Sequence, residues 1–234
     1  MDVILRNLPF LLKGTFPEGS LGGLALTLYM SVSIGFASFC VGLLFATATL
    51  MPYRLLRWLA RGLSMGIRGV PALAFLFWMY FLVPRLLQVN LSPLQSAGLA
   101  LMLYHGAYMG EDIRGGIQAV AKGQWEAARA SGLKFLDLMQ HVVLPQAIRA
   151  VMPALINRFV NLLMYTSVVS VLGILEFTRA GILVNNREIV YSLQVFGFVG
   201  LVYFGFCYLL SRYGRYLENR WSWAPKIGTL HVAV

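Results

Sequence analysis

The sequence predicts an all-α integral membrane protein, and three observations predict it. Only 12% of the 234 residues are charged, 59% are hydrophobic, and the mean hydropathy is +0.71. A soluble domain carries nearer ~25% charged residues, so this composition suits a bilayer as solvent. The apolar residues fall into about five runs long enough to cross a ~30 Å hydrocarbon layer as helices. The 19 Lys and Arg, against 9 Asp and Glu, sit at the ends of those runs rather than on one basic face, which argues against nucleic acid as a partner.

Residues 1–21 precede the first run as a separate segment. "MDVILRNLPFLLKGTFPEGS" is broken by Arg6, Pro9, Lys13 and Pro17 and the following run is too long for a signal core, so no cleavable signal peptide is expected and the first span serves for insertion. That span is 22–51, "GGLALTLYMSVSIGFASFCVGLLFATATLM", longer than the ~20 residues a crossing needs. Arg54, Arg57 and Arg61 follow in a cluster. The second span, 63–83, holds Arg68 near its start. An arginine at mid-bilayer costs roughly 2.5–3.5 kcal/mol on insertion scales, so Arg68 belongs at the entry edge. A short turn leads to the third span, 94–113, and then to a polar stretch, 114–149. A fourth span at 150–175 and a fifth at 191–210 complete the set, and residues 221–234 read as a tail.

Five spans place the chain ends on opposite sides. The Arg54 segment with Arg68, the 114–149 stretch and the C-terminal end together carry thirteen bases on one side, against five on the other (Arg6, Lys13, Arg85, Arg179, Arg187). Arg158 is left within the fourth span. The positive-inside rule then puts the 114–149 stretch and the C-terminus in the cytoplasm and the N-terminus outside. Glycines such as Gly35, Gly42, Gly62 and Gly66 let helices approach closely. Cys40 and Cys207 read as small buried hydrophobes, and the three histidines are too far apart to form a ligand motif, so no metal site is expected.

Within the polar stretch, "QWEAARAS" at 124–131 is a good helix former and Gly132 a natural cap. "LKFLDLMQHVVL" starts a second helix, with Leu133, Leu136, Met139 and Val143 on one face and Pro145 and Pro153 punctuating the return to the membrane. The two helices lie at the cytoplasmic surface. Either the small residues Ala127 and Ala128 beside Trp125 admit another protein, or the segment rests on lipid headgroups.

Glu126-Ala127-Ala128, then Gly132, Val142, Leu144 and Pro145 resemble the EAA loop of ABC-importer permeases, seven positions at fixed spacing. "RGVPALAFLFWMYF" at 68–81, "AYMGEDIRGGIQAVAKGQWEAARASG" at 107–132 and "TSVVSVLGILEFTR" at 166–179 are similar to segments of the subfamily that takes up polar amino acids. The resemblance spans about 22–220. Two positions depart from it. Asp112 stands where an aliphatic residue is usual, and Met164-Tyr165 stand where many members carry Lys-Asp.

The resemblance implies a multi-pass permease of the bacterial inner membrane, with a polar amino acid or opine-like compound as cargo. The chain has no phosphate-binding G-x-x-x-x-G-K-[ST] loop. The family supplies a separate ATP-binding subunit, which carries the ATP and Mg; this chain needs no cofactor. That subunit docks on Gln124, Glu126, Ala127, Ala128 and Gly132, with Leu144 and Pro145 setting the angle of the loop. A second permease, identical or different, and a periplasmic solute-binding protein complete the complex. Tyr108, Glu111, Thr166, Ser167 and Ser170 are polar groups in apolar spans and candidates for the pathway. Each has a structural alternative: helix back-bonding for the hydroxyls, packing for Tyr108, a Glu111–Arg114 salt bridge at the membrane edge. Glu176 and Arg179 either meet the binding protein or cap a helix. The alternatives to the permease are an ATP-independent secondary transporter or channel, and an integral membrane enzyme. The first would show inverted repeats, and the second a constellation of acids or histidines. The sequence offers neither.

Overall fold

The structure, a computed structural model, describes residues 2–51 and 53–221. Helices fill most of it, and strand-like pairing is confined to two isolated bridges, Gly14 to Leu21 and Gly23 to Glu176. Of the expected tail 221–234, all but Trp221 lies outside the described residues.

Most of the N-terminal segment is a helix, α1 (Asp2–Lys13), held down by the buried side chains of Val3 and Leu11. The first run forms α2 (Gly23–Leu50). The expected second span proves to be two pieces, α3 (Arg54–Arg68) and α4 (Ala72–Leu87), bent by 107°. Pro71 cannot donate to the ladder and drives Val70 out of the helical region, so α3 ends at Arg68 and the chain turns before restarting at Ala72. α3 is amphipathic. Ala60, Ser64 and Ile67 are buried, while Leu55, Trp58, Leu59, Leu63 and Met65 face outward.

The third span lies in α5 (Pro93–Ala119). Pro93 opens it, and a reciprocal capping box holds its start: Gln95 N–H donates to Ser92 Oγ (3.2 Å) and Ser92 N–H to Gln95 Oε1 (2.9 Å). α5 runs between α2 and the long helix α7 (Phe135–Leu172). Its contact with α2 depends on missing side chains. A Cβ at Gly106 would sit 2.6 Å from Val41 Cγ1, and one at Gly110 2.8 Å from Phe45 Cβ.

Between them lies α6 (Lys122–Ala130), and after α7 come α8 (Phe177–Arg187) and α9 (Ser192–Trp221). The second helix of the polar stretch is not a separate surface element: it is the start of α7. Two short π-helical turns explain this and a matching feature of α4. Trp78–Leu82 precedes Pro84, and Met139–Val143 precedes Pro145. Each turn widens the helix by one residue, so the proline ring and its missing N–H are absorbed without a break. The last seven residues of α7, Thr166–Leu172, tighten to 3₁₀, and Gly173 (φ +79°) ends the helix in the left-handed region.

By length and composition three helical stretches qualify to cross a membrane, Gly23–Leu50, Phe135–Leu172 and Ile189–Arg220, with α3 and α4 a fourth if that bent pair is one span. α5 is long enough but not apolar enough; Gln95, Ser96, Tyr104, His105 and Tyr108 dilute even its charge-free part, and Glu111, Asp112 and Arg114 find partners inside the bundle. Cys40 is exposed and Cys207 half-buried, contrary to the expectation of buried thiols, because both point away from the bundle.

Candidate functional site

Three groups of residues matter, one at each end of the bundle and one inside it. At the end holding α6, the nine-residue helix closes on Gly132. Its φ of +77° lets Leu133 N–H donate to Ala128 O (3.3 Å) and Gly132 N–H to Arg129 O (3.0 Å). Gln124, Glu126, Ala127, Gly132 and Pro145 are exposed and Leu144 half-buried. Ala128 is not on that surface: it is 5% exposed. It packs in an apolar cluster with Ala46 of α2, Ile113 and Ile117 of α5, and Leu138 and Val143 of α7, and Trp125 rests on the same cluster. Gln146 Nε2 donates to Gln124 Oε1 (3.3 Å) and to Val142 O (2.9 Å), splinting α6 to α7. The outward face also carries two residues that sequence reasoning missed, Phe135 and Leu136, 63% and 69% exposed. The sequence spacing puts Leu136 on one helix face with Leu133, Met139 and Val143. The π-turn shifts the register, and Leu138 points inward instead.

Inside the bundle the five pathway candidates bond in different directions. Tyr108 Oη donates to Arg68 O (3.3 Å). Glu111 accepts from Arg114 Nε (3.1 Å), with Arg68 Nη2 at 3.7 Å, so the edge salt bridge exists. Thr166 and Ser167 donate back to their own helix at Leu163 O (2.6 Å) and Met164 O (2.7 Å), and Ser170 is buried. Arg158, left unpaired by the sequence, meets Asp112, 46 positions earlier: Nε to Oδ2 2.6 Å, Nη2 to Oδ1 3.2 Å. Its guanidinium lies 4.7 Å from the Tyr108 ring centre. Tyr104 touches Tyr108, His105 and Tyr165, and the His105 ring packs on Tyr165.

At the opposite end Glu176 is fully buried, which favours capping over contact with another protein. Its carboxylate accepts from the N–H groups of Thr178 (2.9 Å) and Arg179 (2.7 Å), from Tyr203 Oη (3.1 Å) and from Thr27 Oγ1 (3.4 Å). Burial pushes this carboxyl above the ordinary range, and the donors pull against it. Arg6 and Glu188 pair nearby, joining α1 to the residue after α8. Among the described residues no three His, Cys, Asp or Glu side chains are grouped to hold a metal.

A bundle of bent apolar helices, three of them long and apolar enough to cross a membrane, with a short helix packed at one end, is the frame of an integral membrane protein. The sequence model for the binding-protein-dependent transport system inner membrane component matches residues 38–223, and the chain belongs to that family. It is 37% identical to the probable glutamine ABC transporter permease protein GlnM of Bacillus subtilis, over 83% of this chain and 89% of that one. It is 32% identical to the glutamate/aspartate import permease protein GltK of Escherichia coli, over 93% and 96%. Among solved structures, an amino acid ABC transporter with histidines superposes with a TM-score of 0.81 at 28% identity, covering 93% of this chain and 96% of the other. The inward-facing methionine transporter MetNI, 20% identical with a TM-score of 0.70 over 84% and 93%, shares the fold. The chain is thus a permease component and not an enzyme; in these systems the ATPase is a separate subunit.

Proposed function

We propose that this chain lines the translocation pathway for a polar amino acid or a related opine-like compound across a bacterial inner membrane. It spans that membrane about five times, with its N-terminus outside and its C-terminus and the 114–149 segment in the cytoplasm. A cytoplasmic ATP-binding subunit, which holds ATP and Mg, docks on the face formed by Gln124, Glu126, Ala127 and Gly132, with Phe135 and Leu136 as apolar flanks. A second permease subunit encloses the other half of the pathway, and a periplasmic solute-binding protein delivers the cargo.

The observation that carries this reading is the seating of α6. Its outward face is open, while Ala128 and Trp125 on its inward face join the apolar cluster that α2, α5 and α7 share, with the start of α7 as the direct neighbour. A displacement of α6 by closing ATPase subunits is therefore passed to three helices together, since a close-packed apolar contact shifts as a unit. Ala128 acts in this scheme as the seat and not as the docking contact. Tyr108 and Glu111, on α5, move with that seat; Thr166, Ser167 and Ser170 lie at the far end of α7.

Co-purification with the candidate ATPase tests the proposal, comparing wild type with Glu126→Lys and Gly132→Asp. Wild type should retain the ATPase and both variants should lose it while still inserting into the membrane. Equal capture by all three would assign this face to lipid.

A further inference from the structure

We propose that the Asp112–Arg158 pair is the cargo's zwitterion site: Arg158 takes the α-carboxylate and Asp112 the α-ammonium group of the transported amino acid. This rests on the permease reading above. In the resting chain each side chain fills the place of the other's ligand.

Four observations converge on it. The pair joins the two helices α5 and α7 inside the bundle, yet it is reachable, with 18% of the Asp112 and 31% of the Arg158 side chain exposed. An ion pair withdrawn from water is a poor stabiliser, since desolvation offsets most of its Coulomb gain, and ionisable groups within membrane helices mark transport routes. Arg158 presents two N–H groups to both oxygens of one carboxylate, the fork geometry that an α-carboxylate would use equally well. The exchange also conserves charge. When a zwitterion inserts, each protein charge swaps one opposite partner for another, so neither binding nor release leaves an unpaired charge in the bundle.

The surroundings suit a cargo site. Tyr108 lies under the guanidinium at 4.7 Å, and Tyr104, His105 and Tyr165 extend the same ring cluster. His105 is 2% exposed, and its Nε2 is buried with no hydrogen-bond partner, a polar group left unsatisfied beside the ring cluster. Asp112 and Tyr165 are also two of the positions where this chain departs from the subfamily pattern.

The test uses the assembled permease–ATPase complex in nanodiscs, dialysed to equilibrium against each radiolabelled standard amino acid. The same complex with its binding protein, in proteoliposomes, gives ATP-driven uptake of the same panel. For the amino acid bound, a 100-fold excess of its N-acetyl derivative or its decarboxylated amine should leave the label in place. The double variant Asp112→Asn/Arg158→Gln keeps hydrogen-bonding shapes and adds no net charge. It should bind and transport at least 10-fold more weakly while still assembling with the ATPase. Displacement by either analogue, or wild-type binding and uptake in the double variant, overturns the site while the permease reading stands. Wild-type complex that takes up none of the panel overturns the site and the choice of a standard amino acid as cargo. If the double variant does not assemble, the analogue displacement on wild type still decides.

Discussion

Ala127 and Ala128 are neighbours with the same side chain and opposite surroundings, and that difference divides docking from folding on α6. Ala128 sits at 5% exposure in one apolar cluster with Ile117, Leu138 and Val143, whereas Ala127 is exposed. Enlarging the inward alanine must displace packed neighbours, at a cost of about 1–3 kcal/mol; a surface substitution changes stability by about 0.5 kcal/mol or less. Ala128→Leu should therefore lower the unfolding temperature of the purified permease. Ala127→Leu should leave that temperature alone and weaken ATPase capture instead. Similar thermal losses in both variants would mean that α6 does not seat as described. The motif's spacing was legible in the sequence, but its two alanines were read as one docking surface. Nothing in "EAA" says which of two adjacent positions, ~100° apart around a helix, faces inward. That is fixed by Leu138 and Val143, five positions apart, which the π-turn between them brings to the same cluster.

At the scale of elements, proline acts here by widening helices more than by ending them. Of the prolines near span boundaries, Pro71 breaks the chain, while Pro84 and Pro145 are each preceded by a π-turn and passed. Composition places the prolines correctly and cannot distinguish these outcomes, since the choice depends on whether the helix beyond continues against packed neighbours. α7 does so through Ala147 and Val151. Replacing Pro145 with Ala removes the need for the extra residue per turn. The segment 139–143 should then relax to α-helical bonding and rotate the start of α7 by ~100° against its seat. We expect Pro145→Ala to weaken ATPase capture without abolishing it, because Gln124, Glu126 and Ala127 on α6 stay in place while Phe135 and Leu136 turn with α7, and to reduce cargo moved per ATP hydrolysed in proteoliposomes. An unchanged ratio would show that the wide turn is only a tolerance for proline. The same dependence on neighbours hid the Asp112–Arg158 pair: a lone arginine in a span signals a partner, but 46 residues of separation give no indication of which one.

For the whole molecule, the bilayer changes what an apolar run reveals. In water such a run must be inside; in lipid both faces are apolar, so Cys40, Phe36, Leu44, Leu201 and Phe204 face outward as readily as Leu26 and Met30 face inward. Helix existence was therefore readable, whereas facing was not, and α5 is enclosed despite being the most polar of the expected spans. The proposed orientation rests on a different quantity, the thirteen bases on one side against five on the other. It has a direct consequence for the proposed mechanism, because ATP is present on one side only and docking requires α6 there. With Cys40 and Cys207 replaced by serine, a single cysteine at Ser131, beside Gly132, should react with a membrane-impermeant maleimide only in inverted vesicles. One at Thr15, between α1 and α2, should react in intact spheroplasts. Both positions are exposed, so burial does not mask the label. The reverse pattern would put Glu126 and Ala127 out of reach of any ATPase and reduce the exposed face of α6 to a contact with lipid or with an outer protein. Labelling of both from one side would mean an even number of crossings between α1 and α6, in which case the bent pair α3–α4 enters the membrane and returns without crossing it.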